Sequence, residues 1–280
     1  MAINLNSLLT DEEQLLLARV DEMYSRADSG VPGFLGFLNM RERFIIENQR
    51  HAIFTGNDSE PLSFFWGGFD DAERTMLFIL PSYMRYSITE GVQNNVVFRD
   101  EFASAIVPLK IKTSGYVKLA HRDFLGSLIG LGIDRFAMGD ILLGNDGAIV
   151  FVNPKVAELI KNELTYIGRD KVKAEYITLP DDFTFSRQFE KVSGTVASAR
   201  LDAVVSELAR TSRENAKGLI QDGLVEHNYF TAVHPDCEVT NGDVISIRKT
   251  GAAKGGKFIV DSVDTLSQKG RIRLMARRYI

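Results

Sequence analysis

Apolar and polar residues alternate along this chain with two periods, and the switches between them mark out its elements. Near the N-terminus Leu15, Leu16, Val20 and Met23 recur at helical spacing. Thr10 and Glu13 just before them have the form of a capping box, so a helix begins there. A second helix is predicted from 39 through 52, after the Gly-Val-Pro-Gly loop at 30 to 33. Short apolar runs at Phe64-Phe65-Trp66 and Met76-Leu77-Phe78-Ile79-Leu80 read as strands. Gly67-Gly68 between them lacks the Gly-Lys-Ser/Thr ending of a phosphate loop and reads as a backbone turn.

The middle third predicts a strand near 106 to 111 and a helix from about 121 to 131. Strands at 141 to 143 and 148 to 152 flank Asn145-Asp146-Gly147, where Asp-Gly suits a hairpin turn. A helix follows, capped by Asn153 with Pro154 at its first position, then a strand near 171 to 177. The order is βαββαβ, that of a ferredoxin-like plait, an arrangement used by RNA-recognition modules. Its central hairpin offers one aromatic, Phe151, so this sheet is expected to meet RNA through loops or to serve as scaffold.

The C-terminal third carries the most informative segment. Leu201, Val204, Val205 and Leu208 share one face of a helix from about 201 to 209. Thr211 and Glu214 predict a capping box, a helix start near Ser212 and a stop at Gly223, where glycine tolerates a left-handed turn. Ala216, Leu219 and Ile220 make the apolar face of this second helix, so the two can pack together. Arg213 and Lys217 lie one turn apart on it, and Arg210 sits in the turn before it. These cations are expected to converge with the Thr211 and Ser212 hydroxyls, where first-turn N–H groups suit phosphate oxygens. Val225, Val233, Val239, Val244, Ile245 and Ile247 then read as strand formers between polar turns such as Asn241-Gly242-Asp243.

Cations on a helical face are most often a solvated surface, so charge distribution decides how much weight they carry. The chain as a whole has a formal charge of −4, yet residues 248 to 280 hold nine Lys or Arg against Asp261 and Asp264. A basic extension on an acidic body localises attraction for a polyanion. The 280 residues allow roughly two domains of about 150, or three smaller ones. No apolar run approaches the ~20 residues needed to span a bilayer, and the first residues do not form a signal peptide. With Cys237 as the only cysteine, a reducing cytoplasm is expected, and that thiol reads as a packing residue. The four histidines, at 51, 121, 227 and 234, have no metal-ligand spacing. Neither metal, cofactor nor small-molecule substrate is expected, and no membrane partner.

Four short stretches stand in a telling order: Arg200-Leu201-Asp202, Ser212-Arg213-Glu214-Asn215-Ala216, Gly223-Leu224-Val225 and Gly242-Asp243-Val244-Ile245. They match the R-L-D, S-R-x-x-A, G-x-V and G-D-x-I signatures of the alpha-L RNA-binding motif, the S4 domain, which this segment resembles. Where that family places Asn-Gly in its hairpin turn, this chain has Asn228-Tyr229, for which tight geometry is not expected. His121-Arg122-Asp123 is similar to a kinase catalytic loop, but Leu128 stands where a metal-binding Asn is needed. RNA pseudouridine synthases with an S4 domain use the Asp of an H-R-L-D sequence. Here Asp123 follows His-Arg directly, and the S4-like segment comes last instead of first. Helix capping is the expected role of Asp123 or His121, with an RNA-modifying enzyme using Asp123 as the alternative.

Nearly the whole chain resembles the YlmH-type ribosome-associated proteins of Gram-positive bacteria and their photosynthetic relatives. The resemblance rests on Trp66-Gly-Gly-Phe-Asp-Asp-Ala-Glu-Arg74, His121-Arg-Asp-Phe-Leu-Gly126, Gly130-Leu-Gly-Ile133, Gly139-Asp-Ile141 and the S4-like end. It implies a non-enzymatic RNA-binding factor that docks on large ribosomal subunits holding peptidyl-tRNA and helps process stalled nascent chains. Members are often linked with the division gene cluster, so a cell-division adaptor is a third class. The expected fold is α+β: a helix-rich N-terminal α/β domain over 1–90, a ferredoxin-like plait over 91–183 and an S4-type RNA-binding domain with a basic extension over 184–280. The expected contacts to structured RNA, ribosomal or transfer, are Arg200, Arg210, Thr211, Ser212, Arg213, Lys217, Arg248, Lys249, Lys254, Lys257, Arg277 and Arg278.

Overall fold

Thr10 opens the first helix through both halves of a capping box. Its Oγ1 accepts the Glu13 N–H at 3.2 Å, and the Glu13 carboxylate accepts the Thr10 N–H at 2.9 Å. The computed structural model describes residues 8–87, 105–180, 183–185, 187–251, 253–266 and 271–280. The chain divides into two units, Thr10–Phe185 and Ser186–Ile280 with Met1–Leu9.

In the Thr10–Phe185 unit, α1 (Asp11–Asp28) buries Leu16, Leu17, Val20 and Ala27. Leu15, expected on that face, is exposed. A strand not expected from the pattern follows, β1 (Gly33–Leu38), in which Gly36 interrupts the apolar run. Then comes α2 (Met40–Gln49), capped by Asn39, and a single 3-10 turn at His51–Phe54. The helix predicted to run through 52 breaks at Arg50, whose φ of −129° is not helical. β2 (Leu62–Trp66) and β3 (Thr75–Leu80) complete an antiparallel sheet in the order β1-β3-β2, with β3 wholly buried. Gly67 and Gly68 form the expected turn. A Cβ on Gly67 would lie 2.3 Å from that of Ala72, and one on Gly68, at φ +98°, would lie 2.5 Å from the Phe151 ring.

The second part of this unit runs β4 (Val107–Thr113), α3 (His121–Gly130), β5 (Met138–Gly144), β6 (Gly147–Val152), α4 (Pro154–Glu163), β7 (Tyr166–Ile167) and β8 (Asp170–Tyr176). Its sheet is antiparallel in the order β5-β6-β4-β8-β7. Leu109, Ile111, Phe124, Leu128, Val150 and Ile160 belong to its core. The hairpin turn is shifted from the expected Asp-Gly. Gly144 pairs with Gly147, so Asn145 and Asp146 form the loop, and Gly147 begins the strand at φ +137°. A Cβ there would lie 1.9 Å from the Ile111 carbonyl oxygen, which explains the glycine. Phe37, Met76, Phe78 and Leu80 share a second cluster with Leu142 and Phe151, so the boundary expected near residue 90 does not divide two separate cores.

The motifs at 66–74 and 139–141 meet in this cluster's surroundings. The Asp140 carboxylate accepts the Glu73 N–H at 2.8 Å and the Arg74 N–H at 3.1 Å. The Arg74 guanidinium donates to the carbonyls of Met138, Phe37 and Arg135 at 2.9, 2.9 and 2.7 Å. One arginine and one aspartate thus satisfy five backbone groups on three segments.

The C-terminal unit contains β9 (Phe189–Val196), α5 (Leu201–Ala209), α6 (Arg213–Gln221), β10 (Val225–His227), β11 (Phe230–Thr231), β12 (Val244–Ile247), β13 (Gly256–Leu266) and β14 (Ile272–Tyr279). The strands form one antiparallel sheet in the order β11-β10-β12-β13-β14-β9. The helices were placed by the sequence, but the basic extension at 248–280 is not an appendage. It supplies two strands of the sheet, one of them the longest, and Phe258, Val260, Val263, Leu274 and Ala276 sit in the same core as Val204, Leu208 and Ile220. Val233 and Val239, read as strand formers, lie outside strands, the first exposed and the second buried.

Candidate nucleic-acid interface

The turn between α5 and α6 follows from its caps. Arg210 ends α5 in the left-handed region, at φ 51° and ψ 53°. The cap of α6 falls one residue later than the Thr211–Glu214 box predicts: the Ser212 hydroxyl accepts the Asn215 N–H at 3.1 Å. Thr211 Oγ1 instead accepts from the Asn215 side-chain amide at 3.2 Å. Both hydroxyls therefore hold the turn. At the other end Gly223, at φ +68°, and the bond from Leu224 N–H to the Leu219 carbonyl close the helix in a Schellman-type turn.

Three of the expected cations converge, but on a carboxylate. Asp202, in the first turn of α5, has no exposed surface. Arg213 Nη2 lies 2.9 Å from its Oδ1, Arg200 Nε 3.5 Å from the same oxygen, and Lys217 Nζ 3.9 Å from Oδ2. Burial pushes the Asp202 carboxyl up, yet the Arg213 hydrogen bond and the charges of Arg213 and Arg200 outweigh it and hold it below the usual range. The Arg213, Arg200 and Lys217 side chains keep 44, 45 and 48% of their surface open, so one buried charge orients three outward-facing ones. In the sequence Asp202 is marked only by its place in Arg200-Leu201-Asp202.

Arg210 stands at the opposite end of α5 from Arg200. The Lys254 N–H donates to the Ala209 carbonyl at 2.9 Å, which puts exposed Lys254 beside exposed Arg210. Arg248 and Lys249 are exposed in the same β12–β13 loop, whose Arg248 N–H reaches the Leu224 carbonyl. The remaining expected contacts lie on the sheet. Lys257 is half-buried, with its ammonium over two tyrosine rings, and Arg277 pairs with Asp261 at 2.8 Å. Arg278 is tied inward to the Gly255 carbonyl at 2.9 Å and to Glu190 at 3.2 Å.

The Asn228-Tyr229 pair corrects another expectation. His227 faces Phe230 across a two-residue loop, and both loop residues take positive φ, +49° and +69°, as a tight hairpin of the primed type requires. Asn228 holds the turn from both ends of its amide: Oδ1 accepts the Val244 N–H and Nδ2 donates to Asp243, each at 2.8 Å. His227 Nε2 lies 2.7 Å from the same Asp243 carboxylate.

In the other unit, Phe151 is buried against Phe69 with ring centroids 4.9 Å apart, so it cannot stack on a base. Elsewhere on the strands Lys112 and Lys173 share Glu175, and Lys110 pairs with Asp146. Tyr116 and the Arg122 side chain project into solvent, 94 and 90% exposed. Asp123 accepts the Ala120 N–H at 2.8 Å, the helix-capping role expected of it. Among the described residues no group of three or more His, Cys, Asp or Glu is placed to hold a metal ion, and no helix is long and apolar enough to cross a membrane.

Fold and surface together define an α+β protein that presents preorganised cations on a two-helix, antiparallel-sheet unit. The family model described as "Putative RNA-binding domain in YlmH" matches residues 99–181. The chain is 32% identical over 217 residues to the Ribosome-associated protein quality control protein P2 of Bacillus subtilis (strain 168), covering 77% of each. It belongs to the YlmH family. The solved structure of the cell division protein ylmH from Streptococcus pneumoniae is 24% identical, with a TM-score of 0.44, and covers 61% of this chain and 93% of that one. The matched residues 99–181 contain β4 to β8 and none of the cations singled out from the sequence.

Proposed function

We propose that this protein is a non-enzymatic, ribosome-associated RNA-binding factor. In this reading it docks on large ribosomal subunits holding peptidyl-tRNA and acts in the processing of stalled nascent chains. The observation that carries it is the Asp202 cluster, where one buried carboxylate fixes Arg200, Arg213 and Lys217 with their donors half open. Cations held in place before the ligand arrives lose less side-chain freedom on meeting phosphates. Arg210, Lys254, Arg248 and Lys249 extend the positive surface. The C-terminal unit is read as an S4-type domain. The sheet order of residues 107–176 supports reading that segment as a ferredoxin-like plait, and the family model supports an RNA contact there too.

The test follows from the geometry. Removing Arg213 and Lys217 together would leave the buried Asp202 short of partners, a fault costing about 3–5 kcal/mol, and would confuse binding with folding. Arg210→Ala with Lys254→Ala leaves the cluster intact. The double variant is expected to cosediment less with large ribosomal subunits and to bind structured RNA with a log–log salt slope shallower by about 1.5. Unchanged cosedimentation and slope would reject this surface as the docking site.

A further inference from the structure

The sheet of the C-terminal unit has a face that the α5–α6 surface does not use. Along β14 Leu274 and Ala276 are buried, so Arg273, Met275, Arg277 and Tyr279 point the other way. Register places Thr195, Ser193, Lys191 and Phe189 beside them on β9, and Lys257 comes from β13. The rings and charges on this face are in contact. Phe189 and Tyr279 meet edge to face at 5.0 Å. The Lys257 ammonium lies 4.8 Å from the Tyr279 ring centre and 5.4 Å from that of Tyr229. The Arg277 guanidinium lies 5.1 Å over Phe189.

Tyr229 is the unusual member. Its φ of +69° belongs to the left-handed region, where an L side chain is disfavoured and glycine is not. The turn itself is held by Asn228 through both ends of its amide. What the ring does gain is its place over Lys257. Backbone strain tends to be retained where a side chain has work to do.

We propose that this face binds an unpaired stretch of RNA. Tyr229 and Tyr279, with Phe189 behind it, serve as stacking platforms, and Lys257, Arg277, Lys191 and Arg273 meet the linking phosphates. Aromatic rings interleaved with cations are what a single strand needs: every base has a flat face to stack, and every link carries one negative charge. Of the acidic residues on the neighbouring strands, Asp261 is paired to Arg277 and Glu190 to Arg278. The proposal rests on the RNA-binding reading above but assigns a second surface and a different form of RNA.

The experiment measures binding of the full-length chain to a fluorescent uridine 12-mer and to a stable RNA hairpin. Tyr229→Gly is the informative variant, because glycine suits φ +69° and leaves the fold intact. With Tyr279→Ala added, affinity for the uridine 12-mer is expected to fall tenfold or more while hairpin binding changes less than twofold. Arg210→Ala with Lys254→Ala should do the reverse. Unchanged 12-mer affinity in the tyrosine variant, with the hairpin still bound, overturns the proposal alone. Failure of the wild-type chain to bind either probe overturns the RNA-binding reading as well. If the wild-type chain self-associates and the tyrosine variant does not, the face joins two copies and the proposal is wrong.

Discussion

Asp202 has a carboxylate with no exposed surface and three cations around it, and its ionisation is part of the folded state. Its folded pKa is lowered, so the stability it contributes is present above the unfolded value of about 3.9 and is lost as pH falls through the folded value. Asp243 behaves alike: burial raises it, but hydrogen bonds from His227, Asn228 and the Thr240 N–H lower it further. Acid titration by circular dichroism should therefore show the C-terminal unit losing stability below about pH 4, with a shallower decline in Asp202→Asn. At neutral pH Asp202→Ala is expected to lower stability by about 2 kcal/mol, read from the urea midpoint. Tyr229→Gly should leave stability unchanged or raise it by up to about 1 kcal/mol. Neither residue's state was legible in the sequence. An aspartate in a first helical turn reads as a solvated dipole partner, and only the packing of α6 against α5 shows that it is covered.

Elements whose caps and periods agree were read correctly, while those whose charges hide the period were not. The box at Thr10, the cap at Asn153 and the Gly223 stop all stand where expected. β14 was missed because Ile-Arg-Leu-Met-Ala-Arg-Arg-Tyr reads as a basic run until its buried positions, Leu274 and Ala276, are seen to alternate. β9 fails for the same reason, with Glu190, Lys191, Ser193 and Thr195 exposed between its partly buried residues. The staple made by Arg74 and Asp140 joins a turn to β5 across more than sixty residues, a pairing no local period can reveal. Arg74→Ala removes donors to three carbonyls and is expected to cost about 3 kcal/mol, checked by the thermal midpoint of the Thr10–Phe185 unit. Ser212→Ala should cost about 1 kcal/mol in the C-terminal unit through loss of the α6 cap.

For the whole molecule, the division into two units with their own cores carries a direct expectation. A fragment from 186 to 280 should fold alone with one cooperative transition, and calorimetry of the full chain should resolve it from that of the other unit. The family RNA-binding model lies on one unit and the Asp202 cluster on the other, so binding measured on separate fragments would apportion the affinity. The sheet of the C-terminal unit adds a constraint of another kind. β9 lies at the sheet edge with β14 as its one neighbour, and α5, α6 and β10 to β13 all intervene in the chain. During synthesis the strand at 189–196 must wait, unpaired, until residues 272–279 have emerged. Until then the nascent unit exposes a sticky edge, and a premature stop before 272 leaves it open to capture by chaperones or proteases.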